Sequence, residues 1–342
     1  MPFRYSGINA KIRAMSGRLL KPADYEVLIG QKTVEEVVGR LSERGDYARV
    51  LSKLSRSEMH RGFIEQKMTA NLAGDFNNIY FYLTDFGLRE YLSAFFLNNR
   101  IDVIKFLLGA VCDERDMSYS LPDIAAVMGG KMGNGPQEAV SAKTVPEFIE
   151  ALRGTVFHGA LSKNFSGGMP ELFDMETELD IYYYMNLWDF TRKKADRGNR
   201  KAMADIVGTQ IDLKNIIWIC RLKSNYNVSE NVIYAHLIPA RHRLTREQIA
   251  EMAEAADMAE LRKAVGRTAY GGCFGDLNRT ERAFHHYMNG IYRRSRAKNP
   301  GSLANAVSYL YFKELEIKNI ISVIECVRYG LGRDETLEYL VI

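Results

Sequence analysis

The segment I-D-L-K-N-I-I-W-I-C-R-L-K, Ile211 to Lys223, returns as L-E-I-K-N-I-I-S-V-I-E-C-V from Leu315. Each copy sets an acid, then Lys-Asn-Ile-Ile, among positions that are almost all apolar, so each predicts a helix covered on most sides. At about 100° per residue, Asp212, Asn215 and Lys223 fall on one edge of the first helix, and Lys214 and Arg221 fall on the opposite edge. Buried polar groups are rarely left unpaired, so these edges are read as hydrogen-bonded to neighbouring helices. Exposure to a cavity is the alternative.

Working outward, Lys318 follows Lys214 by 318 − 214 = 104 residues, and Tyr287-Met288-Asn289 follows Tyr184-Met185-Asn186 at nearly the same interval. A degraded first copy is I-D-V-I-K-F-L-L at Ile101 to Leu108, where Asp102 stands for the acid but the Lys-Asn pair is gone. A second self-similarity joins V-P-E-F-I-E-A-L-R-G-T-V-F from Val145 to M-A-E-L-R-K-A-V-G-R-T-A-Y from Met258. A looser copy opens at Val34 and keeps Glu36 in register with Glu147 and Glu260. It reaches Tyr47, against Phe157 and Tyr270, with one residue inserted. The sequence therefore divides into three repeats of about 105 to 115 residues, each a small helical unit followed by two long helices. Their bounds are 1–113, 114–226 and 227–342.

Strand alternation is largely absent, and the fold class predicted is all-α. Ile8, Ile12, Met15 and Leu19 recur at helical spacing and predict a basic amphipathic helix over Tyr5 to Leu20. Pro22 opens a short helix, and Thr33 with Glu36 caps another that ends near Ser42. The long helices are expected over 57–72 and 75–111, with Gly87 and Asn98-Asn99 as candidate breaks in the latter. Those of the second repeat are expected over 176–195 and 199–223, separated at Gly198. In the third they cover 277–298 and then run from an N-cap at Ser302 to Tyr329, with Gly330 as the stop.

Composition narrows the function. The chain has 342 residues, 46% of them apolar, enough for well-filled cores. Its charged residues are mixed in sign and sum to only +4, too mild and too scattered a balance to signal a nucleic-acid binder; a weak preference for acidic partners is what it implies. Cys112, Cys220, Cys273 and Cys326 lie too far apart for a zinc motif and read as reduced, mostly packed thiols in a cytosolic setting. The N-terminus lacks the apolar core of a signal peptide, and no stretch reaches membrane-spanning length. A place at a membrane would have to come through another protein.

The run Gly129 to Gly135 lacks the strand and the G-K-[ST] ending of a phosphate loop and reads as a connector, as does Asn164 to Pro170. His285 and His286 point about 100° apart on a helix and make a poor metal pair. The clusters Tyr80-Phe81-Tyr82 and Tyr182-Tyr183-Tyr184 are assigned to packing between long helices. Arg293 to Lys298 is the densest positive run. It lies at a helix C-terminus, where cations complement the dipole, and docking of acidic partner loops is the other reading.

Y-x-x-I-N-A-K-I-R-A-M at Tyr5 to Met15, the Ile211 segment, Leu237-Ile238-Pro239, and Y-L-Y-F-K-E-L-E-I-K-N-I-I at Tyr309 to Ile321 through R-Y-G at Arg328 together resemble one family. It is the C-type subunit of the archaeal and bacterial A/V-type ATPases, equivalent to the d-type subunit of eukaryotic V-ATPases. The resemblance covers nearly the whole chain; the first repeat, without Lys-Asn beside Asp102, departs most. It implies three similar helical parts arranged as a pseudo-threefold funnel, without catalytic residues or cofactors. Such a protein is present in single copy at the cytoplasmic face of the membrane. It seats the central stalk (D- and F-type subunits) on the proteolipid c-ring and transmits torque for ATP-coupled transport of H+ or Na+. On this resemblance Arg13, Asn215, Arg221, Asn319 and Arg328 are the candidates for lining or supporting the stalk cavity. The runner-up is a helical-repeat scaffold unconnected with rotary ATPases. A hydrolase would need a converging nucleophile and base that the sequence does not display.

Overall fold

The computed structural model describes residues 6–52, 54–133, 135–163, 171–226 and 228–342. The expected connector over Asn164 to Pro170 lies outside them, as does Tyr5. Among the described residues every regular element is helical. In chain order the first are α1 (Ser6–Ser16), α2 (Pro22–Ile29), α3 (Val34–Ser42), α4 (Gly45–Leu51), α5 (Arg61–Tyr82) and α6 (Phe86–Cys112). Next come α7 (Leu121–Met128), α8 (Pro136–Ser141), α9 (Val145–Ala151), α10 (Val156–Leu161), α11 (Leu172–Lys193) and α12 (Arg197–Arg221). The last are α13 (Glu230–Ala235), α14 (Arg246–Glu254), α15 (Met258–Gly266), α16 (Thr280–Lys298), α17 (Ala304–Arg328) and α18 (Arg333–Tyr339).

The three copies read from Val34, Val145 and Met258 are α3, α9 and α15, and they share one local structure. At the start of each, a side chain accepts the N–H of a glutamate three residues on: Thr33 from Glu36, Thr144 from Glu147, Asp257 from Glu260. Each glutamate reaches back past the cap to the preceding N–H, of Lys32, Lys143 and Ala256 at 2.8, 2.9 and 2.9 Å. This is a capping box displaced by one residue, and it satisfies donors that a helix start leaves open.

The first pair of long helices differs from expectation. The break falls at Leu83 to Asp85 rather than before Asp75, and α6 runs unbroken through Gly87 and Asn98-Asn99. Leu83 is extended and ends α5, and Asp85 accepts the Leu88 N–H at 2.9 Å and starts α6. A capping aspartate outweighs a glycine inside an otherwise regular helix. In the second repeat the turn likewise falls at Asp196, whose carboxylate caps α12 at Gly198 and Asn199. Gly330 ends α17 as expected. Its φ of 69° lets the Leu331 N–H reach Cys326 O and the Gly330 N–H reach Val327 O, a left-handed close that glycine adopts without strain.

The chain forms two compact units. One comprises Met1–Thr84, Asp102–Thr155 and Asn305–Ile342. In it Tyr309 on α17 donates to Asp75 on α5 at 2.6 Å, and Lys67 on α5 pairs with Asp123 on α7 at 2.8 Å. The other comprises Asp85–Ile101 and Val156–Ala304. Its centre is α12, where every residue from Ile206 to Cys220 except Lys214 is buried. Helix α16 packs antiparallel to α12: Arg221 meets Glu281, Lys214 lies over the Phe284 ring, and Gln210 donates to Tyr292. At the far end Asn199 accepts the Leu303 N–H at 2.8 Å.

Tyr183 and Tyr184 are buried, as the packing reading expects. Phe81 and Tyr82 are not: they are 75% and 55% exposed, because α5 ends at Tyr82 and leaves them on its last turn.

Candidate functional site

On α12 the Asp212 side chain is fully buried and accepts the backbone N–H groups of His242, Arg243 and Leu244 at 2.9, 2.6 and 3.1 Å. The Tyr270 hydroxyl adds a fourth bond at 2.7 Å. Burial first, and then the carboxylate beside it, push this hydroxyl well above the usual tyrosine range, so it donates at any physiological pH. One turn along the same face, Asn215 accepts the Ile238 N–H at 2.9 Å and donates to Ile238 O at 3.1 Å. Lys223 on that edge donates to Ala255 O at 2.6 Å. The opposite edge, Lys214 and Arg221, faces Glu281. Both edges of the helical wheel are thus hydrogen-bonded to neighbours.

The same constellation recurs on α17. Glu316 accepts the Leu20 N–H and the Tyr47 hydroxyl, and pairs with Lys313 Nζ at 2.7 Å. Asn319 accepts the Val341 N–H at 3.0 Å and donates to Val341 O at 2.9 Å. Each of these two helices therefore holds a carboxylate that accepts backbone N–H at the entry to a small helical unit, a tyrosine from that unit, and an asparagine that both accepts from and donates to one backbone residue outside the helices. We call this arrangement a clamp.

The copies solve charge burial differently. Asp212 is compensated by three amide donors, whereas Glu316 keeps one amide and gains Lys313, itself 1% exposed and 4.2 Å above the Tyr47 ring. A buried carboxylate persists only when such partners offset its lost hydration. At the first copy Asp102 is exposed, and the residue in register with Tyr47 and Tyr270 is Phe157, which carries no hydroxyl.

The five candidates from the sequence separate into two groups. Asn215 and Asn319 are 0% and 4% exposed and spend their amides on backbone, so they hold the structure from inside. Arg13, Arg221 and Arg328 are exposed. Arg13 makes no ion pair among the described residues. Arg221 pairs with Glu281, and Arg328 pairs with Glu325 and donates to Met59 O.

Sequence reasoning did not assign Tyr47, Tyr270, Lys313, Leu340 or Val341 to these sites. Two signals were present. Tyr47 and Tyr270 stood in register, and Leu340-Val341 follows Leu237-Ile238 at one residue less than the interval from Asn215 to Asn319. The C-terminal residues thus take, at Asn319, the part that Ile238 takes at Asn215.

Among the described residues no group of His, Cys, Asp and Glu could hold a metal ion. An open depression of about 500 Å³ near Cys273, Arg282 and His286 presents no activated nucleophile. Burial pushes the Cys273 thiol up to about 11, and it donates to Ala283 O. No described helix is long and apolar enough to cross a membrane.

Among the described residues the chain is of the all-helical class, with internal clamps repeated on α12 and α17 and its charged candidates at the surface. Comparison with known proteins is specific. The family model for the ATP synthase (C/AC39) subunit matches residues 8–339. The C-type subunit of the A-type ATP synthase of Methanosphaera stadtmanae is 26% identical over 334 residues, 93% of this chain and 82% of that protein. Its counterpart from Thermococcus kodakarensis is 24% identical, with 98% and 90% covered, and that from Archaeoglobus fulgidus is 23% identical, with 98% and 95% covered. The chain belongs to the ATP synthase (C/AC39) subunit family.

Proposed function

We propose that this chain is the non-catalytic central-rotor subunit of a V/A-type rotary ATPase, a socket that seats the central stalk on the membrane proteolipid ring and passes torque between them. The observation that carries the reading is the family match over residues 8–339, with relatives that align along nearly their whole length. The physical properties of the clamps support it. A torque-bearing part must resist shear between its helices, and close-packed helices cross-linked by buried, directional hydrogen bonds do so better than apolar contacts alone. The three repeats, 1–113, 114–226 and 227–342, would supply three such walls in the pseudo-threefold funnel. The chain would then lie at the cytoplasmic face of the membrane, held there by the ring.

Within this reading Asn215 and Asn319 support the wall, and Arg13, Arg221 and Arg328 are the candidates for contact. The test is binding of the purified chain to purified proteolipid ring, with and without the stalk proteins. The wild type is expected to bind the ring in both cases and to recruit the stalk. A variant with Arg221→Glu and Arg328→Glu is expected to lose stalk recruitment while folding normally. Absence of ring binding by the wild type would overturn the reading, and stalk recruitment unchanged in the double variant would remove these two arginines from the interface.

A further inference from the structure

Two helix corners meet at one end of the second compact unit. The turn from α11 into α12 carries Arg192, Lys193, Lys194, Arg197, Arg200 and Lys201, and the end of α16 carries Arg293, Arg294, Arg296 and Lys298. Both belong to the unit containing Val156–Ala304. The Asn199 to Leu303 bond ties the start of α12 to the turn that leaves α16. From the Gln210 to Tyr292 bond, Lys201 and Lys298 lie within about one helical turn of the same height at 1.5 Å per residue. The two segments thus carry ten cations and two acids, Asp189 and Asp196, in a chain whose net charge is only +4; the start of α6, with Asp85, Arg89 and Glu90, meets the end of α11 through Tyr91 and Thr191.

Some of this charge is used internally. Lys193 pairs with Asp189, Arg200 donates to Ala195 O at the end of α11, and Arg192 and Lys194 lie over the rings of Trp188 and Phe190. Arg197, Lys201, Arg294 and Lys298 are exposed and have no carboxylate partner among the described residues. The helix dipole does not account for them all. It favours cations at the C-terminus of α16 and opposes them at the N-terminus of α12, where Arg197 and Lys201 stand. Nor does the fold require basic residues there, because the corresponding corner between α5 and α6, Leu83 to Glu90, carries only Arg89.

We propose that this corner is a docking surface for an acidic polypeptide segment. The two basic segments themselves carry no exposed large apolar side chain; Phe86 is exposed at the start of α6, which meets the end of α11 through Tyr91 and Thr191, and charge is what the two segments offer a partner. Its arginine forks match carboxylates in pairs. Such a contact gives orientation and fast capture, and salt screens it. The surface does not depend on the coupling role proposed above; that role adds only that the acidic segment belongs to a neighbouring protein of the assembly.

The test uses fluorescently labelled deca-glutamate and the full chain, with anisotropy read at about 50 and about 200 mM salt. A variant carrying Arg197→Glu, Lys201→Glu, Arg294→Glu and Lys298→Glu is compared with one carrying the same charge change elsewhere on this unit. That control is Arg241→Glu, Arg246→Glu, Arg262→Glu and Lys263→Glu, all at exposed positions. Circular dichroism checks that both are folded. The expected result is binding that weakens with salt, about tenfold weaker in the corner variant and within about twofold of wild type in the control. Equal loss in both variants, or no binding by the wild type, would overturn the proposal. So would stronger binding of the corner to phosphatidylserine vesicles than to the peptide, which would assign it to lipid. Failure in this assay leaves ring binding untouched, and failure of ring binding leaves the peptide result standing.

Discussion

Asn215 and Asn319 make the same pair of bonds to backbone, and the loss of either has the same consequence. Asn215→Ala strands the buried N–H and C=O of Ile238 inside a segment fixed at both ends, at about 1–3 kcal/mol for each unsatisfied group. Asn319→Ala strands those of Val341 in the same way. Chemical denaturation should therefore show a stability loss of this size in each variant. Asp75 gives a pH dependence. Burial raises its carboxyl above the usual range, against the bond from Tyr309 and the charge of Lys313, which lower it. The folded state then holds this proton where the unfolded chain has lost it. The group's contribution is present below the unfolded pKa and is lost as pH rises through the folded one. Asp75→Asn keeps an acceptor for Tyr309, so the fall in urea midpoint as pH rises from the unfolded carboxylate value should be shallower than in the wild type.

At the scale of elements, α12 begins with cations its own dipole disfavours. Arg197→Glu and Lys201→Glu are each expected to raise stability by roughly 0.5 kcal/mol at low salt, less as salt rises. A thermal melt of the double variant checks this; the same substitutions weaken the proposed acidic contact, so a gain in stability accompanied by a loss in binding would mark the cations as kept for a partner. The clamps belong to this scale too. The sequence displayed Asp212, Asn215, Glu316 and Asn319, and the helical wheel correctly separated Asp212, Asn215 and Lys223 from Lys214 and Arg221. It could not display the backbone segments they hold, because hydrogen bonds to backbone leave no mark on the identity of the residue that receives them. Lys313 was hidden for a related reason: nothing local distinguishes a buried lysine from a solvated one until Tyr47 and Glu316 close around it.

In the whole molecule, the two tryptophans, Trp188 and Trp218, both lie in the unit containing Val156–Ala304, whereas helices are in both units. Tryptophan fluorescence therefore follows one unit and far-UV circular dichroism follows both. Residues of α6, Phe86–Cys112, are divided between the two units at Ile101 and Asp102. The two probes are expected to give coincident urea transitions, and separated midpoints would mean that the units unfold independently. The sequence by itself determined the all-helical class, the repeated small unit and the family, because these rest on periodicity and local chemistry that each repeat carries within its own residues; the structure added that its capping box is displaced by one residue and recurs in all three copies. Only the tertiary structure decided that Asp212 and Glu316 hold the entry to a small unit, that Val341 fills at Asn319 the place of Ile238, and that two basic corners share one end. Those facts depend on residues tens to hundreds of positions apart, whose meeting is fixed by packing.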